Sequence, residues 1–167
     1  MFIRLLDAKD ERAFVAAVRK SRALHGGWVH PPSTARAFRA YLVRSGSGAN
    51  RTFAARLRRS GEIVGIVSVS EIVRGAFESA YLGYYAFEPH AGKGLMSEAV
   101  RSVVDHAFRS LKLHRLEANI QPGNKDSIAL VKRLGFKREG YSPRYLKIGG
   151  RWQDHERWAV LREEWMK

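Results

Sequence analysis

The sequence predicts a mixed α/β fold of the α+β kind, and three features carry that prediction. Residues 52–59 and 62–70 read as strands joined at Ser60-Gly61, and a third apolar strand follows at 80–87. A glycine loop then leads into a long amphipathic segment, Leu95 to Leu111. A short helical stretch and two strands around Gly149-Gly150 close the chain. Hairpin-linked strands exclude an all-parallel sheet, because parallel neighbours need long crossovers.

In order along the chain, Phe2, Ile3, Leu5 and Leu6 give a first strand. Phe14, Val15, Val18 and Leu24 fall near helical spacing, so a helix is expected over 11–24, ending at His25-Gly26-Gly27. Pro31-Pro32 breaks the chain, and Ser33 or Thr34 can cap a second helix through Leu42. In the strand at 62–70, Ile63, Gly65, Val67 and Val69 alternate with Val64, Ile66 and Ser68. Both faces are apolar, as in a central strand. Met96, Val100, Val103, Val104, Ala107 and Leu111 form one stripe of the long helix. A strand over 114–120 follows, then a turn at Pro122-Gly123-Asn124 and a helix from Ser127 to Leu134 with Gly135 as its C′ residue. The predicted order is β-α-α-β-β-β-α-β-α-β-β.

The chain has 167 residues and no cysteine. That length fits one domain, 1–167, with a core that needs no disulfide. Without cysteine there is no thiolate nucleophile and no Cys-ligated zinc or iron–sulfur site. The six histidines show no metal-ligand spacing, so no metal is expected. No run of about 18 apolar residues is present. With charges from Arg4 onward and no secretory pattern at its start, the chain reads as cytoplasmic with no membrane partner. The net charge is +14, of which residues 1–60 carry +10. A basic N-terminal third suits an anionic partner such as RNA, or is simply a solvated surface.

The segment Phe87-Glu88-Pro89-His90-Ala91-Gly92-Lys93-Gly94-Leu95-Met96-Ser97 runs strand, glycine loop, helix. Glycines let successive N–H groups converge, and the helix adds the positive end of its dipole, which together suit a pyrophosphate. The plain alternative is a strand-to-helix turn. A Walker loop is excluded because Gly94 is followed by Leu95 where Lys-Ser/Thr is needed. A Rossmann loop is disfavoured by Ser97 at its third glycine and by three strands directly upstream.

About 30 residues on stands Gln121-Pro122-Gly123-Asn124-Lys125-Asp126-Ser127, followed by Leu130 and Leu134-Gly135-Phe136. Alone, Asn124 is a turn residue and Ser127 a first-turn cap. Together with the glycine loop they resemble the GNAT superfamily of N-acetyltransferases, whose corresponding helix carries Asn-x-x-Ser and ends in Gly-Phe. Val73-Arg74-Gly75, Tyr81-Leu82-Gly83-Tyr84, Gly92 to Met96, Glu139-Gly140-Tyr141, Tyr145-Leu146 and Ile148-x-Gly150-x-Trp152-x-Asp154-His155 are similar to the RimJ-type ribosomal-protein alanine N-acetyltransferases. The resemblance covers roughly residues 52–160. In two places the chain departs from the family: Ala91 stands where Gln or Arg is usual, and Met96 where many relatives have Gly or Ala.

The resemblance implies a mostly antiparallel twisted sheet of about seven strands, with a splayed pair of parallel central strands and four flanking helices. It implies acetyl-CoA as cosubstrate. Its arm would lie along Tyr85, Ala86 and Phe87, its pyrophosphate on the amides of Gly92, Lys93, Gly94, Leu95 and Met96, and Asn124 and Ser127 would meet it across the gap. An amine would attack the thioester directly, with the oxyanion held by a backbone N–H near Phe87. Many relatives use a tyrosine as acid toward the leaving thiolate. Its position falls near Val131, leaving Ser127 either as the catalytic residue beside the sulfur or as a binding and capping group.

No general base stands out among Glu71, Glu78, Glu88 and Glu117. A free α-amine, with a pKa of about 7.8, is neutral in about one molecule in seven at pH 7; a lysine, at about 10.4, in roughly one in 2,500. An α-amino acceptor therefore needs less help. Trp28, His30, Trp152 and His155 either line an acceptor entrance or pack. The first expectation is acetylation of a protein N-terminus, ribosomal in this branch, with the basic third meeting the ribosome or its RNA. The alternatives are a small amine (a polyamine or antibiotic) and a GNAT-shaped RNA-binding protein without transfer activity. Monomer and homodimer both stay open.

Overall fold

A computed structural model describes residues 1–167. Seven strands form one sheet in the order β1-β2-β3-β4-β5-β7-β6. They are β1 (Phe2–Leu5), β2 (Arg51–Arg56), β3 (Ile63–Val73), β4 (Ser79–Ala86), β5 (Arg115–Ile120), β6 (Lys137–Ile148) and β7 (Arg151–Leu161). Every neighbouring pair is antiparallel except β4 and β5, which are parallel. The helices are α1 (Glu11–Lys20), α2 (Arg22–His25), α3 (Ala35–Ser45), α4 (Leu95–Arg109), α5 (Lys125–Arg133) and α6 (Arg162–Trp165). Four of them have nine or more residues; α2 and α6 are single turns. The mixed, mostly antiparallel sheet expected from the sequence is the sheet observed.

The sheet is covered on both faces, which explains why β3 is apolar all round. On one face α4 buries Ala99, Val100, Val103, Val104, Ala107 and Phe108 against Val67, Val69, Leu82 and Leu116. Each large side chain buried in this way stabilises the fold by about 1.5–3 kcal/mol. On the other face Phe14 and Val18 of α1 and Phe38 of α3 pack on Ala54, Ile66 and Phe87. Asp10 is fully buried and compensated: Arg4 at 2.6 Å and Arg56 both pair with it, and Asp7 N–H donates to it at 3.0 Å.

Four local expectations change. The helix expected over 11–24 breaks at Ser21, whose buried hydroxyl accepts from Glu88 N–H at 2.9 Å. The simple alternation in β3 fails at Val64, where the register with β2 shifts between Ala55 and Arg56; Ile63 therefore joins Ile66 on the α1 face while Val64 joins Val67. The same strand runs on to Val73 through a second irregularity that holds Glu71 at φ +50°. Finally, α5 starts at Lys125 because Asn124 caps it, accepting from Ser127 N–H at 3.2 Å.

Candidate functional site

Strands β4 and β5 pair only at Ser79↔Arg115, Ala80↔Leu116 and Tyr81↔Glu117. Beyond that point β5 stays with β7, through Ala118↔Trp158 and Asn119↔Arg157, and leaves β4. Residues Leu82 to Ala86 thus present an open edge to a gap. Hydrogen-bond phase decides which groups point there. Phe87 N–H donates to Val64 O at 2.8 Å, so Phe87 and Tyr85 face β3, while the N–H groups of Ala86 and Tyr84 face the gap. The Ala86 carbonyl is taken, by His25 Nε2 at 2.9 Å. Phe87 itself therefore presents no free amide to the gap. Its amide is spent within the sheet, and its ring is fully buried against Phe14, His25 and Tyr85.

At the end of β4 the chain turns into α4 through Gly92 at φ +74° and Gly94 at φ +77°, conformations that a side chain resists. Helix α4 begins with Ser97 N–H and Glu98 N–H both donating to Gly94 O. No amide from Ala91 to Met96 donates to any protein acceptor. Six consecutive free N–H groups at a helix N-terminus form an anion cradle. Lys93 and Arg133 line the same cleft, and neither is in an ion pair. The Leu95 side chain packs on the core. Met96 lies over Gly65, where a Cβ would collide with its sulfur and come 2.6 Å from Tyr85 O. The glycine in β3 thus makes room for the methionine that stands in place of the smaller residues of many relatives.

The cradle and the open edge belong to one cleft of about 650 Å³. Among the residues expected from the sequence, Tyr85, Ala86, Gly92, Lys93, Gly94, Met96, Asn124 and Ser127 line it, and Phe87 and Leu95 do not. Ser127 stands at the N-terminal turn of α5, facing β4. Its Oγ donates to the Tyr84 hydroxyl at 2.7 Å, and that hydroxyl donates to Ser127 O at 3.0 Å. Burial pushes the Tyr84 phenol up to about 12, partly offset by the Ser127 contact. Val131, at the position of the acid in many relatives, is fully buried.

Of the four aromatic and histidine candidates, Trp28 and His155 line the cleft. The Trp28 ring lies against Gly123 and its carbonyl accepts from Gln121 Nε2 at 3.3 Å, so the α2–α3 loop straps the start of α5. His30 packs on Gly149, and Trp152 stays exposed. The cleft holds Asp126 but no glutamate. Glu117 is paired with Arg115 at 2.9 Å. Sequence reasoning passed over three groups: Tyr84, His25 and Asn119. Tyr84 sits in a quoted motif without a role, His25 read only as a helix end, and Asn119 gave no signal beyond being one of the alternating polar residues of its strand.

Residues 1–137 match the family described as Acetyltransferase (GNAT) domain. The chain is 46% identical over 99 residues to a probable N-acetyltransferase of Bacillus subtilis, covering 59% of this chain and 55% of that protein. It is 43% identical over 104 residues to the [ribosomal protein uS5]-alanine N-acetyltransferase of Escherichia coli, covering 62% and 54%. The matched region spans about half the length of these curated relatives. Among solved structures it resembles Mycobacterium smegmatis RimJ in complex with CoA-disulfide, with a TM-score of 0.89 and 26% identity over 99% of this chain and 83% of that one. No helix is long and apolar enough to cross a membrane.

Proposed function

The chain belongs to the acetyltransferase (GNAT) domain family, and we propose that it transfers an acetyl group from acetyl-CoA to the N-terminal α-amino group of a protein, a ribosomal protein as for the uS5-alanine N-acetyltransferase of Escherichia coli. The observation that carries this reading is the run of unpartnered amides from Ala91 to Met96 opening onto the free edge of β4. It fits a ligand with a diphosphate at one end and an amide-bearing arm at the other. Bound there, the cosubstrate would supply an activated acetyl thioester. The amides of Gly92 to Met96 would hold its diphosphate, with Lys93 and Arg133 adding charge. Tyr84 and Ala86 would offer backbone N–H groups to the arm and to the thioester oxygen, as the phase of β4 supports.

Ser127 would lie beside the leaving sulfur. A serine hydroxyl is a weak acid, so its role is to polarise by hydrogen bonding. Asn124 would fix the start of α5 through the cap it makes. The cleft offers no glutamate base, which fits an α-amine that is already partly neutral near pH 7. Lys9, Arg12, Lys20, Arg22, Arg36, Arg58 and Arg59 form no ion pair and would steer docking toward an anionic ribosomal surface.

Thiol release from acetyl-CoA tests the reading with three acceptors: a peptide with a free N-terminal alanine, an N-terminally blocked lysine peptide, and spermidine. Turnover with the free N-terminus alone is expected. Turnover with spermidine alone would move the assignment to small amines. Binding of RNA with no turnover on any acceptor would leave a GNAT-shaped binding protein.

A further inference from the structure

Beyond Tyr81, β4 has a sheet partner on one side only, because its pairing with β5 ends at Tyr81↔Glu117. An open strand edge leaves backbone groups without ladder partners, and they are satisfied from elsewhere. At the end of β4 the partners come from one helical turn. Ser21 and His25 stand four residues apart, joined by His25 N–H donating to Ser21 O at 2.9 Å, so their side chains share a face. His25 Nε2 meets Ala86 O at 2.9 Å, and Ser21 Oγ accepts from Glu88 N–H at 2.9 Å. The two side chains thus grip the chain on either side of Phe87.

The main-chain groups at this point can be accounted for one by one. Ala86 O is taken by His25, Phe87 N–H by Val64 O at 2.8 Å, Phe87 O by His90 N–H at 2.9 Å, and Glu88 N–H by Ser21. The Ala86 N–H is left, and the phase of β4 turns it to the gap. Both gripping side chains are buried, Ser21 fully and His25 at 5% exposure. The imidazole centre lies 5.4 Å from that of the Tyr85 ring and 5.8 Å from that of the Phe87 ring, so it cannot swing away without unpacking both. The break between α1 and α2 falls at Ser21, the residue that makes one of the two contacts.

We infer that Ser21 and His25 are positioning residues for acetyl transfer: they fix Ala86 so that its free N–H is aimed at the thioester oxygen. The inference rests on the transferase reading and adds the side chains that hold the donor. Negative charge grows on that oxygen as the amine attacks, and a donor fixed in advance stabilises it without reorganising. A misplacement of about 1 Å in such a site can cost about a hundredfold in rate. Both residues act through the backbone of β4. The diphosphate cradle, Gly92 to Met96, lies beyond the grip, so losing the grip acts on the rate of transfer and leaves cosubstrate affinity in place.

The test uses the full chain and acetyl-CoA, with a peptide bearing a free N-terminal alanine, or spermidine if that alone turns over. Coenzyme A affinity is measured separately by calorimetry. His25→Leu, which fills the space and removes the donor, is expected to lower kcat by about tenfold or more with coenzyme A affinity held within about twofold. His25→Gln, which returns a donor near Ala86 O, is expected to lose less. Ser21→Ala is expected to lower kcat about threefold, again with affinity held. A role in folding alone would lower Tm without separating kcat from affinity. The inference is overturned if His25→Leu keeps the wild-type kcat, if it weakens coenzyme A binding as much as it slows turnover, or if His25→Gln is as impaired as His25→Leu. Should His25→Leu fail to fold, Ser21→Ala decides: an unchanged kcat overturns the inference, and a lowered kcat at constant affinity supports it. Wild-type protein that binds no coenzyme A, or turns over no acceptor, overturns the transferase reading and this inference with it. Wild-type turnover with unaffected variants overturns this inference alone.

Discussion

Ser127 Oγ lies 2.7 Å from the Tyr84 hydroxyl, joining the first turn of α5 to the open edge of β4. The phenol also reaches Ser127 O at 3.0 Å, so one side chain holds both the backbone and the hydroxyl of the serine. Two proton arrangements satisfy the pair. In one, Ser127 donates to Tyr84 as observed. In the other, Tyr84 donates to Ser127 Oγ and frees the serine hydrogen for a sulfur in the cleft. With its phenol pushed up to about 12 by burial, Tyr84 stays neutral at working pH.

Tyr84→Phe removes only that oxygen. We expect kcat to fall about two- to thirteenfold, with the acetyl-CoA KM changing less, since one neutral hydrogen bond contributes about 0.5–1.5 kcal/mol. If Tyr84 acts through Ser127, Tyr84→Phe combined with Ser127→Ala will be little worse than Ser127→Ala alone. Additive losses would show that the two residues act separately.

Gly94→Asp places an anion at the centre of the free amides. The acetyl-CoA KM should rise at least about tenfold, equivalent to about 1.4 kcal/mol. Because Gly94 sits at φ +77°, any side chain there also carries strain, so Gly94→Ala is the control. The excess of the aspartate effect over the alanine effect measures the charge term. Equal KM values for the two variants would remove the diphosphate from the loop.

How much of this was legible in the sequence depended on whether the signal was local. The stripe of α4, the turn at Gly149-Gly150 and the C′ glycine at Gly135 each follow from residues within one or two turns of chain, and all three are found. The glycine cradle was legible for the same reason. Which amide at the end of β4 faces the gap was not, because choosing between Phe87 and Ala86 needs the hydrogen-bond phase of β4 on β3, next to the irregularity at Val64. Tyr84 and Ser127 are 43 residues apart, and only the splay of two strands brings them together. Asn119 looked like any polar strand residue; that its side-chain oxygen is buried without a partner shows only in the fold.

Gly65→Ala tests the packing of the cleft wall. An added Cβ would meet the Met96 sulfur and lie 2.6 Å from Tyr85 O, in a wall made partly of backbone. Overpacking of this kind costs about 1–3 kcal/mol, seen as a drop of several degrees in Tm. Met96→Ala in the same chain should recover part of that loss by freeing the space. Failure to recover would place the conflict with the Tyr85 carbonyl instead.

His25 gives the fold a pH dependence whose sign can be worked out. Burial lowers its pKa below the ordinary 6.5, while the hydrogen bond to Ala86 O opposes the shift. The neutral ring, with Nε2–H donating to that carbonyl, is therefore the native form. The unfolded chain takes up a proton near 6.5 and the folded one only at lower pH, so unfolding becomes more favourable as pH falls through 6.5 toward the folded value. Above 6.5 the contribution is constant. His106, also lowered by burial, titrates in the same direction, so wild-type data alone do not isolate His25. His25→Gln keeps a donor near Ala86 O and removes the titration. Chemical denaturation at pH 7.5 and pH 5 should therefore show a smaller loss of stability in His25→Gln than in wild type. An equal loss would assign the pH dependence to other groups, such as His106 or the carboxylates Glu11, Glu139 and Glu163 held low by their partners, and leave His25 uncoupled from the β4 edge.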